Sequence, residues 1–134
     1  MNGPSVLDAS VLVALVYDEP GADRLESAIR GGALTSTLNW AETLSRMVER
    51  GETVDAALAR LRLQIAALGK IDVVPFTESH ARETARLRQT TRHLGLSLAD
   101  RACLALGRLH RLPVLTTDRA WRSLHISVKI DVIR

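Results

Sequence analysis

The hydrophobic pattern of this chain is dominated by its start. Ser5–Val16, SVLDASVLVALV, is apolar except at Asp8 and Ser10. A run this apolar, rich in β-branched residues, predicts a strand buried on both faces, as in parallel sheets. Asp8 is then expected at the carboxyl end of that strand. A carboxylate there is costly unless it is paired, hydrogen-bonded or bound to a cation.

Beyond this run the pattern switches repeatedly between two periods. Helical spacing predicts a helix over Ala22–Arg30, stopped by Gly31-Gly32, and Ala33–Thr37 reads as a short strand. Leu38–Arg50 follows as a helix with Leu44, Met47 and Val48 on one face, ended by Gly51. Thr53–Leu68 is a second amphipathic helix, with Val54, Leu58, Leu61, Ile65 and Leu68 in a stripe before Gly69. Ile71–Phe76 predicts a strand, Glu78–Leu94 a helix broken at Gly95, and Ser97–Arg108 a further apolar helix. Ser97-x-x-Asp100 has capping-box spacing, which places Asp100 in the first helical turn. Pro113–Thr116 is a strand leading into Thr117-Asp118, a short helix is expected around Ala120–Leu124, and Val128–Ile133 is a last strand. Strand and helix alternate, and no tight Asn-Gly or Asp-Gly hairpin intervenes. That order predicts an α/β fold: a mainly parallel central sheet of about five strands with helices on both faces.

Composition narrows this picture. The 134 residues suit one domain, 1–134, with no repeat, linker or low-complexity segment to divide it. Hydrophobic residues make up 46%, which argues against disorder, but aromatics only 3%, so the core must be Leu, Val, Ile and Ala. The same scarcity argues against aromatic base-stacking platforms. No apolar run reaches membrane-spanning length, and no basic region precedes the first one, so neither a membrane partner nor a signal peptide is expected. A single cysteine, Cys103, allows no internal disulfide and fits a reducing cytoplasm; it reads as a small buried residue. The net charge of +3 permits a polyanionic partner without demanding one. Arg82, Arg86, Arg88 and Arg92 fit either an RNA-guiding face or a solvated one. His80, His93, His110 and His125 have no ligand-like spacing.

Four acids interrupt apolar surroundings: Asp8, Glu42 in LNWAETL, Asp100 in LSLADRACLAL and Asp118 after VLTT. Each has an ordinary structural explanation alone: a hydrogen-bonded strand end, a solvated helix acid, a helix N-terminal acid and a cap. Strand-end aspartates of a parallel sheet, however, share one edge, and the first turns of helices that follow strands lie there too. Gathered carboxylates with no Lys or His beside them in sequence become sensible around hard divalent cations, which prefer oxygen ligands. Such a site suits hydrolysis of a phosphodiester by metal-activated water.

The fragments LDASVLVAL, LNWAETL, LSLADRACLALG and LPVLTTDRAW, in this order over essentially the whole chain, resemble PIN-domain proteins. The resemblance is close to VapC-type toxins of VapBC toxin–antitoxin pairs. It implies a Mg²⁺- or Mn²⁺-dependent endoribonuclease acting on RNA and neutralised by a cognate VapB-type antitoxin. By position it implies Asp8, Glu42, Asp100 and Asp118 as the catalytic acids, with Asp8, Asp100 and Asp118 holding the metal and Ser10, Asn39 and Thr117 supporting it. The product ends expected of hydrolysis are a 5′-phosphate and a 3′-hydroxyl. Two rivals stand beside this reading. One is a non-catalytic PIN-fold module binding RNA or protein. The other is an aspartyl-phosphate domain, which wants a Lys near a later strand end, whereas Lys70 precedes a strand and Lys129 lies within one. The stripe on Thr53–Leu68 leaves open a homodimer or a face buried within the monomer.

Overall fold

The computed structural model describes residues 3–134. The elements run β1 (Ser5–Leu7), α1 (Ala9–Val16), α2 (Ala22–Arg30), β2 (Ala33–Ser36), α3 (Thr37–Glu49), α4 (Val54–Leu68), β3 (Ile71–Val74), α5 (Glu78–Thr91), α6 (Leu98–His110), β4 (Val114–Thr116) and β5 (Ile130–Val132). Short 3-10 turns occupy Arg92–Leu94 and Arg119–Ser123. The five strands form one sheet in the order β3-β2-β1-β4-β5, and all four pairings are parallel. No described helix is long and apolar enough to cross a membrane.

The first apolar run is the one element that departs from expectation. It is not a single strand: three residues form β1, Asp8 turns the chain, and the remainder is the helix α1. The reason is burial. Every residue of α1 except Ser10 is buried, and a helix wrapped on all sides carries no polar face by which its period could be recognised. The other predicted elements are all present, with ends shifted by a few residues and the predicted Glu78–Leu94 helix closing in a 3-10 turn.

Alternation along the strands sorts the core into two layers. Leu7, Ala33, Leu115 and Ile71 face one side, where they pack with α1, α2, α4 and part of α3. Val6, Leu34, Val114 and Val74 face the other, against α6, Leu87 of α5, and Trp121. On α4 the predicted stripe is largely spent here, since Leu61 and Ile65 are buried in the first layer, whereas Val54 and Leu63 face solvent. In the second layer Gly107 lets α6 approach β4 closely: a Cβ there would lie 2.4 Å from Val114 Cγ2. Buried Glu83 on α5 accepts from Arg86 at 2.9 Å and from Arg108 of α6 at 3.0 Å, tying the two helices together.

The strand order sets the position of any site. The chain builds outward from β1 to β2 and β3, then returns to lay β4 and β5 on the other side of β1. The connections leaving β1 and β4 therefore diverge, and a crevice opens at their carboxyl ends, where ligands bind in open α/β sheets.

Candidate active site

Asp8 occupies that crevice. The β1–β4 register pairs Val6 with Val114 and Leu7 with Leu115, so the next positions, Asp8 and Thr116, face each other on the α6 side of the sheet. Thr116 Oγ1 donates to Asp8 Oδ2 at 2.6 Å, and Ser10 Oγ donates to Asp8 Oδ1 at 2.6 Å. The Val11 N–H also donates to Oδ1, at 3.1 Å, which makes Asp8 the N-cap of α1. Both hydroxyls are used twice: Ser10 Oγ accepts from the Thr117 N–H at 3.0 Å, and Thr116 Oγ1 accepts from the Asp118 N–H at 3.1 Å. Asp8 thus locks the start of α1 to the exit of β4. On the other flank, Thr35 Oγ1 donates to the Leu7 carbonyl at 2.9 Å.

Glu42 and Asp100 reach the same edge on helices. Ser36 caps α3, which carries Asn39 and Glu42 one turn apart. Ser97 and Asp100 form the predicted capping box at the start of α6: the Asp100 N–H donates to Ser97 Oγ, and the Ser97 N–H donates to Asp100 Oδ2, both at 3.1 Å. Asn39 joins the two helices. It is fully buried, and its Nδ2 donates to the Ala99 carbonyl at 3.0 Å, beside Asp100. Its Oδ1 is buried with no hydrogen-bond partner.

The electrostatics show which acids sense one another. Burial pushes the Asp8 carboxyl up from 3.8 to about 6 against the lowering effect of its hydrogen bonds, and the charge on Asp100 adds to the rise. Glu42 is also raised, first by burial and then by Asp100, with Arg46 opposing at 3.5 Å. Beneath them, burial raises the Cys103 thiol well above its ordinary range, and the charges of Asp8, Asp100 and Glu42 add to this. Cys103 is therefore a neutral, buried thiol and no nucleophile. Asp8, Glu42 and Asp100 form one electrostatic cluster. Asp118 stands at its margin: it is exposed, caps the following 3-10 turn through the Ala120 N–H at 2.9 Å, and does not perturb Asp8 or Glu42.

The side chains as they stand serve local caps. Among the described residues no three His, Cys, Asp or Glu converge closely enough to hold a metal ion. Asp8 spends both oxygens on hydroxyls, and Asp100 turns back to Ser97. The donor set is still the one a hard cation takes: all oxygen, with no Lys, Arg or His ion-paired to Asp8, Asp100 or Asp118 among the described residues and an unsatisfied Asn39 oxygen close by.

Of the residues expected to support the site, Ser10 bonds Asp8 and Asn39 bonds the Ala99 carbonyl through their side chains, whereas Thr117 reaches Ser10 through its backbone N–H. The residue that sequence reasoning missed is Thr116, whose hydroxyl holds Asp8. The signal was its place two residues after Val114, on the same strand face, but using it required the β1–β4 register.

Comparison with solved structures finds the same fold in several proteins. VapBC2 from Rickettsia felis, bound to a DNA fragment from its promoter, superposes with a TM-score of 0.72 at 14% identity, covering 96% of this chain and 97% of that one. VapC20 of Mycobacterium tuberculosis, a sarcin–ricin loop cleaving toxin, gives a TM-score of 0.68 at 18% identity, over 92% of this chain and 98% of that one. FitAcB from Neisseria gonorrhoeae gives 0.68 at 23% identity, over 93% and 94%. Comparison with curated proteins gives no match. The family model described as PIN domain matches residues 5–126, nearly the whole of the sheet and both helical layers. With its carboxylates at the crevice of a parallel sheet and this match along its length, the chain belongs to the PIN domain family.

Proposed function

We propose that this protein is a divalent-cation-dependent endoribonuclease, the toxin of a VapBC-type pair, held inactive by a cognate VapB-type antitoxin. The observation that carries the reading is the gathering of Asp8, Glu42 and Asp100 at the β1–β4 crevice: the charge of Asp100 acts on both other carboxyls, with no cation ion-paired to Asp8 or Asp100 among the described residues, in a PIN-domain chain. A toxin–antitoxin complex from Klebsiella pneumoniae and VapBC-5 of Mycobacterium tuberculosis, a member of the VapBC family of toxin–antitoxin systems, are among its structural neighbours and support the partner and the biological role.

Asp8, Asp100 and Asp118 are the residues that would hold Mg²⁺ or Mn²⁺, with Glu42 as fourth catalytic acid. Bound there, the cation would activate water and stabilise the leaving oxygen of an RNA phosphodiester, leaving a 5′-phosphate and a 3′-hydroxyl. The chain's own part is to hold these groups in place. Ser10 and Thr116 fix the Asp8 carboxylate with their hydroxyls. Thr117 positions Ser10 through its N–H, and Thr116 likewise anchors the backbone of Asp118. Asn39 fixes the start of α6 and offers an unpaired oxygen to water in the cluster. Glu42, raised by burial and by Asp100, is suited to take a proton from that water. An aspartyl-phosphate chemistry gains no support, because Lys70 and Lys129 precede β3 and β5 at the opposite edge of the sheet.

The test is RNA cleavage by the purified chain with Mn²⁺ and with EDTA. Asp8→Asn, Asp100→Asn and Asp118→Asn should each remove most metal-dependent cleavage while circular dichroism shows a folded protein. Cleavage of wild-type strength by Asp100→Asn at limiting Mn²⁺ overturns the assignment. A folded wild type that binds RNA yet never cuts it favours the non-catalytic module.

A further inference from the structure

The arginines of α5 divide into two kinds. Arg82 is paired with Glu78 at 2.8 Å and Arg86 with Glu83 at 2.9 Å. Arg88 and, one turn on, Arg92 at the end of the helix have no acidic partner among the described residues. Both are exposed, and with Thr91, Gly95 and Leu96 they line one small concavity of about 30 Å³. Like charges one helical turn apart repel. The partial negative charge at the helix C-terminus offsets some of this, but a single cation there would do as much.

The position of this corner is set by a tight turn. Gly95, at φ +59°, reverses the chain so that Leu96 leads directly into Ser97, the cap whose N–H holds Asp100. The concavity therefore adjoins, through Leu96, the capping box that carries a candidate catalytic carboxylate. The concavity is small and open, and its lining is dominated by the two arginines. Arg88 and Arg92 both line it, and a guanidinium fork matches phosphate geometry.

We propose that Arg88 and Arg92 form a phosphate subsite that grips the backbone of single-stranded RNA beside the bond cut at the acidic crevice. The proposal rests on the ribonuclease reading above and adds to it where the flanking chain is held. A contact to a non-reacting phosphate binds ground state and transition state alike, so it sets KM and leaves kcat unchanged. It also offsets the repulsion between a polyanion and a carboxylate cluster.

The experiment measures fluorescence anisotropy of a short labelled single-stranded RNA in EDTA, across a NaCl series, followed by cleavage kinetics with Mn²⁺. Three proteins are compared: wild type, Arg88→Gln/Arg92→Gln, and Arg30→Gln/Arg62→Gln. The last loses the same charge from exposed, unpaired arginines on α2 and α4. For single strands each lost phosphate contact lowers the slope of log K against log salt by about 0.7, so the first variant should lose about 1.4. Its Kd and KM should rise about tenfold or more at low salt, with kcat within about twofold of wild type, because a uniform contact is removed. The control should keep the wild-type slope. Equal losses in both variants, or a fall in kcat with KM unchanged, overturn the subsite and leave the ribonuclease reading standing. A wild type that neither binds nor cuts RNA overturns both.

Discussion

Asp8→Asn should make the metal-free protein more stable at neutral pH and less so in acid. The Asp8 carboxyl is buried and is raised from 3.8 to about 6. At about 1.36 kcal/mol per pH unit, that displacement amounts to a penalty of about 3 kcal/mol on the charged form in the folded state. The folded protein binds its proton more tightly than the unfolded chain, so between pH 3.8 and about 6 the native state carries more protons and stability falls as pH rises. The penalty is complete above pH 6 and absent below 3.8. Asparagine carries no charge and removes it. That penalty is already net of the hydrogen bonds from Ser10, Thr116 and the Val11 N–H, but the amide gives up one acceptor oxygen, a loss of about 1 kcal/mol. The net gain at pH 7 should be about 1–2 kcal/mol, shrinking to zero or changing sign near pH 4. Urea melts of both proteins in EDTA at pH 4, 5, 6 and 7 measure it, and the titration of carboxylates remote from Asp8 cancels in the difference. A difference that does not change with pH, or one that favours the variant more at pH 4 than at pH 7, refutes the reasoning that burial strains Asp8.

Three further outcomes follow from the same structure. Adding Mn²⁺ should stabilise the wild type by about 2.7 kcal/mol at 100 times Kd, and Asp8→Asn or Asp100→Asn should lose most of that shift in thermal melts. Thr116→Val strips both the donor to Asp8 and the acceptor for the Asp118 N–H; it should cost about 2 kcal/mol in urea melts and lower cleavage by tenfold or more, with Thr116→Ser restoring much of both. Gly107→Ala forces a Cβ against Val114 Cγ2 and within 3.2 Å of the Leu112 carbonyl; it should destabilise by about 1–3 kcal/mol while leaving Mn²⁺ binding, measured by calorimetry on the folded protein, unchanged.

The legible parts of the sequence were those with local causes. Ser97-x-x-Asp100 forms its capping box because both partners lie within one helical turn, and the structure shows both bonds. The alternation of apolar strands and amphipathic helices was enough for a parallel sheet, since parallel strands need crossovers and crossovers need helices. The exception is instructive. Ala9–Val16 is helical, yet its residues are buried all round, and periodicity is informative only where one face meets water.

The site itself divides along the same line. Four acids in apolar surroundings were visible because an uncompensated carboxylate is costly wherever it is buried, whatever the fold around it. Their relations were not visible. That Asp100 acts on both Asp8 and Glu42 while Asp118 stands at the margin depends on how α3 and α6 pack over β1. That Thr116 rather than Thr117 holds Asp8 depends on the register of two strands more than 100 residues apart. That Arg88 and Arg92 are left without acids while Arg82 and Arg86 are paired depends on where Glu78 and Glu83 reach. Sequence by itself determined which residues are expensive and which segments are regular, because those follow from solvation and from neighbours in the chain. Only the tertiary structure decided which of the expensive residues meet, because hydrogen bonds and charge coupling act across a few ångströms of space and take no account of separation along the chain.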